Sequence, residues 1–337
     1  MTELTSDTRI SDAGPSAGPL VSVVTPFYNT AEYLEQCIRS VLAQDYPHFE
    51  YILLDNRSTD GSSEIARRFA GTDSRIRLIQ AEEFVGQVPN YNRALRQISP
   101  QSRYCKMVQA DDALYPGCLT RMVALAEGNP GVGIVSALRL KGDAVRNDGL
   151  PPEVSVLPGS EVCRLQLLES KFFFGSPTSV MYRSEVVRSR DPFFAEGSYH
   201  EDTEACYEIL ADWDFGFVHE VLSFSRTQEG SILARQRRYD PHHILDRLIC
   251  VARYADWYLG EDEAEELWEK TRSGYYDFLA GQALRLRGRA FWNYHRKGLG
   301  TVDLKLEPTR LLRHLVKKVI GFASTPKRTF RRLIRRL

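Results

Sequence analysis

Strand-like and helix-like segments alternate regularly between residues 20 and 140. Residues 20–25 and 50–54 are short runs of β-branched or aliphatic residues, and residues 31–43 between them carry apolar side chains at helical spacing. Because consecutive parallel strands need a crossover segment, usually a helix, this order predicts an α/β domain with a mainly parallel central sheet flanked by helices. Ligands of such sheets bind beyond the carboxyl ends of the strands. The residues that follow each predicted strand are therefore the first candidates for a functional site.

Polar residues follow three of the predicted strands. They occupy residues 25–29 after the first strand, residues 55–60 after the second, and the pair Asp111-Asp112 after the strand at 104–108. The three clusters are expected to converge because the strand ends meet at one edge of the sheet. No G-x-G-x-x-G pattern follows the first strand, which disfavours a dinucleotide-binding dehydrogenase.

The adjacent carboxylates of Asp111 and Asp112 indicate a particular chemistry. Two like charges at a strand end are costly unless a cation lies beside them. Mg²⁺ prefers oxygen ligands and is often held by one or two carboxylates together with phosphate oxygens. The pair therefore predicts a metal-bridged diphosphate, although a solvated acidic turn is the more common explanation for such a pair taken alone.

The composition excludes several classes of protein. Hydrophobic residues make up 43% and charged residues 26% of the 337 residues, as is typical of globular chains, and no apolar run approaches the roughly 18 residues that span a bilayer. Residues 1–18 lack the apolar stretch of a signal peptide and are predicted to be a disordered leader. The absence of Cys-x-x-Cys spacing argues against a zinc site or a disulfide framework and favours a reducing cytoplasm. The six cysteines are Cys37, Cys105, Cys118, Cys163, Cys206 and Cys250.

The chain divides into three parts after its leader. The α/β pattern extends over residues 19–235, with further strand-like segments at 179–183 and 214–219. From about residue 241 the pattern becomes wholly helical and rich in aromatic residues. We therefore predict a helical appendage at 236–307, followed by a tail at 308–337.

The tail differs from the rest of the chain in charge. Residues 308–337 contain ten Lys or Arg and no Asp or Glu, which leaves 34 basic and 44 acidic residues elsewhere. Its apolar side chains recur at helical spacing opposite the basic ones, a pattern typical of helices that bind anionic membrane surfaces. No base-stacking module accompanies the charge, so nucleic-acid binding is disfavoured. A solvated or oligomer-forming helix is the remaining alternative.

Four motifs resemble those of the family 2 glycosyltransferases with the GT-A fold. They are VVTPFYN at 23–29, LDNRSTDG at 54–61, ADD at 110–112 and HED at 200–202, and the similarity covers about residues 20–235. The resemblance implies a Rossmann-like GT-A domain that moves a sugar from a nucleotide-diphosphate donor to an acceptor hydroxyl, with inversion and with Mg²⁺ or Mn²⁺. Assembly of a surface polysaccharide or glycolipid would be its role. A catalytically silent sugar-nucleotide-binding or scaffold protein is the alternative.

The resemblance places a donor site along the strand ends. Thr25, Pro26 and Tyr28 match the loop that packs around the base and ribose of the donor. Asp111 matches the residue that bonds the ribose, and Asp112 matches the metal ligand. This acidic pair would form the centre of the donor site.

Four more positions would complete the donor site. Asp55 matches the first acidic residue of the second motif, whereas Asn56 stands where many relatives have a second Asp. The Asn carbonyl is still an acceptor for a pyrimidine N3–H, so UDP or dTDP sugars are favoured and GDP sugars are possible. Asn92 is a donor contact or a helix cap, and Arg226 would stabilise the diphosphate.

The acceptor side is carried over from the HED motif. An inverting displacement needs a base opposite the leaving group, and the resemblance implies Asp202 for this role, with Glu201 as the second choice. Simple negative charge at a helix N-terminus is the alternative explanation. Ser176 and Thr178 match an acceptor-site loop. The acceptor would be a glycan or a lipid-linked glycan, and the protein is expected in the cytoplasm, peripherally attached to the inner face of the cell membrane.

Overall fold

The computed structural model describes residues 18–169, 171–198, 200–227 and 237–324, including side chains as far as residue 320. The predicted leader, apart from Gly18, and the tail beyond residue 324 lie outside the described residues.

Ten strands form one sheet. In chain order they are β1 (Val21–Phe27), β2 (Phe49–Asp55), β3 (Ile76–Gln80), β4 (Tyr104–Met107), β5 (Ala113–Leu114), β6 (Val132–Lys141), β7 (Ala144–Arg146), β8 (Val156–Leu157), β9 (Met181–Arg183) and β10 (Asp214–Ser225). Their order across the sheet is β3-β2-β1-β4-β9-β6-β10-β5, with β7 beside β6 and β8 beside β10.

The two halves of the sheet differ in strand direction. β3, β2, β1 and β4 are all parallel, as the sequence predicts. β9 then runs antiparallel between β4 and β6, and β5 runs antiparallel beside β10. The predicted α/β fold with a central sheet flanked by helices is confirmed, although the second half of the sheet is mixed.

Helices cover the sheet and continue beyond it. They are α1 (Ala31–Leu42), α2 (Ser62–Ala70), α3 (Gln87–Leu95), α4 (Cys118–Gly128), α5 (Gly159–Glu169), α6 (Ser184–Arg188), α7 (Glu201–Ile209), α8 (Ile244–Tyr258), α9 (Glu261–Ala283), α10 (Arg289–Gly300) and α11 (Pro308–Ser324). Among the described residues, none of these helices is both long and apolar enough to cross a membrane.

The helical appendage shares a core with the α/β domain. Val251 and Tyr254 of α8 belong to the same buried cluster as Phe174 and Phe215 of the domain, and the Tyr254 ring stacks on that of Tyr207 in α7 at 4.8 Å. A second cluster joins the opposite side of α8 to α9 and α10. α8 is therefore the element through which the two parts of the chain pack.

The first half of the predicted tail is a helix that lies against α9. Leu311 packs on the appendage cluster, and the buried His314 bonds the Asp277 carboxylate of α9 at 2.7 Å. The apolar residues of α11 are thus divided between two faces, because Leu312, Val316 and Val319 are 61%, 49% and 52% exposed.

Candidate functional site

The acidic pair lies in the turn between β4 and β5. The Asp112 N–H donates to the Gln109 carbonyl at 2.9 Å and closes the turn. β5 then pairs with β10 in the register Ala113 to Phe224, which brings Asp112 next to Ser225 and Arg226. The carboxylate is therefore positioned by the carboxyl end of β10 as well as by β4.

The Asp112 carboxylate is held by three donors. Its Oδ2 accepts from the hydroxyls of Thr178 at 2.6 Å and Ser225 at 3.2 Å, and its Oδ1 accepts from the Arg226 N–H at 3.2 Å. The side chain is only 5% exposed. Burial and the neighbouring charge of Asp111 raise the pKa of Asp112 to about 6. The group is a fixed, desolvated carboxylate.

Asp111 completes a donor set that fits a hard divalent cation. Its carboxylate is half-buried and forms no hydrogen bond with the side chain of another described residue. Burial raises its pKa, and Arg226 is the cation that acts against this shift. Neither carboxylate forms a direct ion pair with a described residue, and two adjacent carboxylates whose pKa values are both raised suit Mg²⁺ or Mn²⁺ as oxygen ligands.

Lys106 lies beneath the acidic turn, where the sequence indicated no role for it. The fully buried ammonium donates to the carbonyls of Thr178 and Val180, the latter at 3.1 Å. Burial lowers its pKa to about 8. These bonds fix the 3₁₀ turn Pro177–Ser179 under Asp112.

Thr178 is buried and supports Asp112. Besides donating to Asp112, its hydroxyl accepts from the Gln109 N–H at 3.1 Å, and the residue is fully buried. Ser176 is half-buried, with its hydroxyl 3.5 Å from that of Ser179. An acceptor contact through the Thr178 side chain, which the resemblance implied, has no support in this geometry because the hydroxyl is already used on both sides.

Replacement of Lys106 by methionine is expected to destabilise the protein by about 1–3 kcal/mol, because two buried carbonyls lose their charged donor. Urea unfolding would measure the change. The exposed Lys270→Met is the matched control, expected within about 0.5 kcal/mol of the unchanged protein. Equal stability of Lys106→Met and the control would show that the turn does not depend on the ammonium.

The end of β1 contains both buried and exposed residues of the predicted donor loop. Thr25 and Pro26 are buried, and the Thr25 hydroxyl lies 3.0 Å from that of Tyr51, so it is directed into the core. Tyr28 is 44% exposed, and its ring lies 4.7 Å from that of Phe84, which is 57% exposed. Phe84 follows β3 in a polar stretch, where no sequence pattern marked it.

Asp55, Asn56 and Asn92 are engaged in internal hydrogen bonds. Asp55 accepts from the Ser58 N–H at 2.8 Å and from the Ser63 hydroxyl. The Asn56 amide bonds both the carbonyl and the N–H of Val85, at 2.8 and 3.1 Å. The Asn92 amide likewise forms two hydrogen bonds with the backbone of Phe194, to its carbonyl at 2.9 Å and from its N–H at 2.8 Å. These side chains shape the loops around the site.

Arg226 is attached to α1 by its side chain. The guanidinium lies 4.7 Å from the centre of the Tyr33 ring and donates to Gln36. Its charge acts on both Tyr33 and Asp111. Residues 228–236, which follow shortly after Arg226, lie outside the described residues.

The HED motif lies at the start of α7, and both its Asp202 and the acidic turn's Asp112 act electrostatically on Arg139 of β6. Asp202 accepts from the Thr203 N–H at 2.7 Å, while burial and the charge of Asp202 raise the pKa of Glu201 to about 7. Arg139 of β6 is 7% exposed. Burial lowers its pKa, and the carboxylates of Asp112 and Asp202 act in the opposite direction. Arg139 is thus electrostatically coupled to both acidic groups, although the sequence indicated no role for it.

Part-buried charged contacts join the start of α7 to α8. Glu204, inside α7, pairs with Arg253. His200 precedes the helix and bonds the Asp246 carboxylate at 2.6 Å, and His243 reaches the same oxygen at 2.8 Å. Bonding to Asp246 raises the pKa of His200 to about 9 against the opposing effect of burial. The helix that begins with Glu201-Asp202 is therefore fixed from the appendage side.

This sheet order, with an acidic turn at its edge, is that of the GT-A fold. S. aureus TarS 1-349 in complex with UDP-GlcNAc has a TM-score of 0.60 and 17% identity, over 84% of this chain and 80% of that one. The mannosyltransferase PcManGT from Pyrobaculum calidifontis, in complex with GDP-Man and Mn²⁺, has a TM-score of 0.53 and 20% identity, over 91% and 90%. These likenesses show the fold.

The chain belongs to glycosyl transferase family 2. The model of that family matches residues 22–190. The putative glycosyltransferase EpsE of Bacillus subtilis is 33% identical over 66% of this chain and 82% of its own length. The putative teichuronic acid biosynthesis glycosyltransferase TuaG of the same organism is 42% identical over 28% of this chain and 36% of its own length, so only about a third of that relative is matched. The family indicated by the four motifs is confirmed.

Proposed function

We propose that the protein transfers a sugar from a nucleotide-diphosphate donor to an acceptor hydroxyl, with inversion and with a divalent cation. One observation carries the proposal: the buried carboxylate of Asp112 is held in place by three donors, and the charges of both Asp112 and Asp202 act on the buried Arg139. An inverting transfer needs a site for the departing diphosphate and a base on the opposite side. The two acidic groups provide one of each.

Asp111 and Asp112 would hold the cation. When bound, a Mg²⁺ or Mn²⁺ ion neutralises charge on the leaving diphosphate. Thr178, Ser225 and the Arg226 N–H keep the Asp112 carboxylate in one orientation, so little reorganisation is needed on binding. Asp111, whose oxygens have no bond to another described side chain, is also available to the ribose.

Asp202 would accept the proton of the acceptor hydroxyl. Its Oδ1 is bonded to the Thr203 N–H in the first turn of α7, where the helix dipole favours the anion. Glu201 is the second candidate, because a pKa near 7 suits a general base at neutral pH. The two carboxylates are adjacent in sequence, so separate variants are needed to distinguish them.

Tyr28 and Phe84 are suited to contact the nucleotide base. Exposed aromatic rings at a strand end offer a stacking surface for a base. Asn56 already bonds Val85 on both sides, so recognition of a pyrimidine would need its carbonyl to accept a second hydrogen. UDP and dTDP donors are favoured, in agreement with UDP-GlcNAc in the TarS structure, and GDP donors are possible, as GDP-Man in PcManGT indicates.

The role would be in assembly of a cell-surface polysaccharide or glycolipid. The printed name of TuaG, which refers to teichuronic acid biosynthesis, supports this role for a family relative. The acceptor would be a glycan or a lipid-linked glycan.

A panel of UDP, dTDP and GDP sugars with Mn²⁺ tests the donor. At 100 times the Kd, the correct donor adds about 2.7 kcal/mol of stability, and for a chain of 337 residues we expect a rise in Tm of about 4 °C. Release of the nucleotide from the same donor would establish turnover. Stabilisation by none of the nucleotide sugars, with no nucleotide released, would contradict the proposed function.

We further propose that the exposed apolar face of α11 docks on an anionic membrane surface. Leu312, Val316 and Val319 are exposed on a helix that also carries the exposed Arg313 and Lys317. Helices that bind anionic membranes place apolar side chains into the interface, while their basic side chains contact the lipid headgroups. The protein would then act at the inner face of the cell membrane.

The double variant Leu312→Glu/Val316→Glu is expected to weaken sedimentation with anionic liposomes about tenfold, because two apolar groups are lost from the interface. The control is Leu284→Glu/Leu286→Glu, which adds the same charge at two other exposed leucines. Equal loss of liposome binding in both variants would contradict a specific role for α11. An unchanged Tm in both would exclude misfolding as the cause.

A further inference from the structure

The hairpin of β6 and β7 carries a cluster of positive charge beside the acidic turn. Arg139 and Arg146 lie directly opposite each other in the antiparallel pairing, and Lys141 is on the same strand face as Arg139. Arg237 lies close enough that its charge, with burial and the two arginines, lowers the pKa of Lys141. Like charges directly opposite each other destabilise a sheet, so packing alone does not account for this arrangement. These four residues are called the cationic hairpin below.

Within the described residues, the strand residues of the cationic hairpin have no carboxylate in direct contact, although the charge of Asp112 acts on Arg139 and Lys141. Arg139, Lys141 and Arg146 form no ion pair with any residue in the described part of the chain. The buried Nε of Arg139 also lacks a hydrogen-bond partner there. Two further buried atoms nearby have no hydrogen-bond partner among the described residues: the Oγ of Ser223 and the Oδ1 of Asn147. Ser223 is paired with Arg139 in the β6–β10 register, and Asn147 directly follows β7. Buried polar atoms without partners are costly and rare in folded proteins.

The position of the hairpin links it to the acceptor side. Lys141 lies next to Ser225 in the β6–β10 register, and the Ser225 hydroxyl bonds Asp112. Arg139 is coupled to both Asp112 and Asp202. An acceptor hydroxyl that reaches the base would therefore bring its neighbouring groups close to the cationic hairpin. The donor's diphosphate, by contrast, already has the acidic pair's cation and Arg226 nearby.

We propose that the cationic hairpin binds a carboxylate or phosphate group carried by the acceptor glycan, so that the enzyme prefers an anionic acceptor. The inference rests on the proposed function, because it assigns a substrate class to the same site. A guanidinium pairs with either anion through parallel hydrogen bonds. A neutral sugar would leave the buried Nε of Arg139 without a hydrogen-bond acceptor and would bring no negative charge to the exposed Arg146 and Arg237.

Binding of three oligomers of equal length tests the inference on the full chain, with UDP and Mn²⁺ present. They are an oligoglucuronate, a glycerol-phosphate oligomer and neutral maltohexaose, measured by calorimetry at low and high salt. We expect at least one anionic ligand to bind about tenfold more tightly than maltohexaose, and the salt sensitivity to reveal the charge contact. Preference between the two anionic ligands then identifies carboxylate or phosphate.

The variant Lys141→Ala/Arg146→Ala is expected to lose that tenfold preference. The control Arg296→Ala/Lys297→Ala removes the same charge from two exposed residues of α10 and should keep it. Equal affinity of the unchanged protein for all three ligands, or no binding of any, would overturn the inference. So would a tenfold loss of UDP affinity in Lys141→Ala/Arg146→Ala with anion binding intact, which would assign the cluster to the donor diphosphate. Failure of the proposed function is distinct, since it would show as absence of nucleotide binding and release in the unchanged protein.

Discussion

Asp112→Asn is expected to lower nucleotide release from the sugar donor by about a thousandfold. The substitution keeps the size of the side chain but removes the charge that would hold the cation against the diphosphate. Such charge stabilisation is worth several kcal/mol in the transition state, and about 4 kcal/mol corresponds to a thousandfold in rate. Turnover at saturating donor and Mn²⁺ would measure the effect.

Stability provides an internal check on this variant. The pKa of Asp112 is raised in the folded protein to about 6, from an ordinary value of 3.8, so the folded state keeps a proton that the unfolded chain has lost between these values. The carboxylate therefore costs stability progressively as pH rises through that window. In the absence of metal, Asp112→Asn should have a Tm at pH 8 equal to or above that of the unchanged protein.

Asp45→Asn is the matched control for Asp112→Asn. Asp45 also accepts a threonine hydroxyl, that of Thr120 at 2.5 Å, but it is an exposed residue at the end of α1. Its turnover should remain within about twofold of the unchanged protein. An active Asp112→Asn protein of normal stability would remove Asp112 from the metal site.

Asp202→Asn is expected to reduce transfer to the acceptor by about 10²–10⁴-fold, the usual contribution of a general base. Glu201→Gln should have a smaller effect. Because the base acts on the acceptor, binding of the nucleotide should be unchanged in both variants. Single-turnover transfer, followed together with nucleotide affinity, separates the two roles.

The reverse order of effects would identify Glu201 as the base. In that case the residual activity of Asp202→Asn should rise with pH as Glu201 loses its proton, with a midpoint below pH 7, because the variant removes the Asp202 charge that helps to raise the Glu201 pKa. Full activity of both variants would exclude the HED motif from the chemistry.

The sequence predicts most of the first half of the sheet, because periodicity is a local property. The runs near β1 to β4 coincide with the observed strands to within two residues. The short strands β5, β7 and β8 carry too few residues to show alternation. Their positions depend on pairing with distant strands, which a single sequence does not encode visibly.

The prediction of the candidate site is limited in the same way, because the sequence does not show long-range contacts. The convergence of strand ends follows from general properties of α/β sheets, and the acidic pair indeed lies at the sheet edge beside β10. These general properties do not predict the direction in which each side chain points. Thr25, Asn56 and Thr178 are used internally, whereas Lys106, Arg139 and Phe84 gain their surroundings only through long-range packing. A donor-binding role for the predicted residues stays a prediction.

The contacts between α7 and α8 lie in a part of the chain that the family model does not match. The family model ends at residue 190, before the HED motif and before the helix that supports it. The matched part of the chain thus contains the acidic turn, while His200 and Glu204 are anchored by residues that the family model does not reach. Substitutions in α8 could retune which acceptor the base meets while the nucleotide half is preserved. A chimaera that takes its helical appendage from a relative would keep these contacts only if α7 were exchanged together with Asp246 and Arg253 of α8.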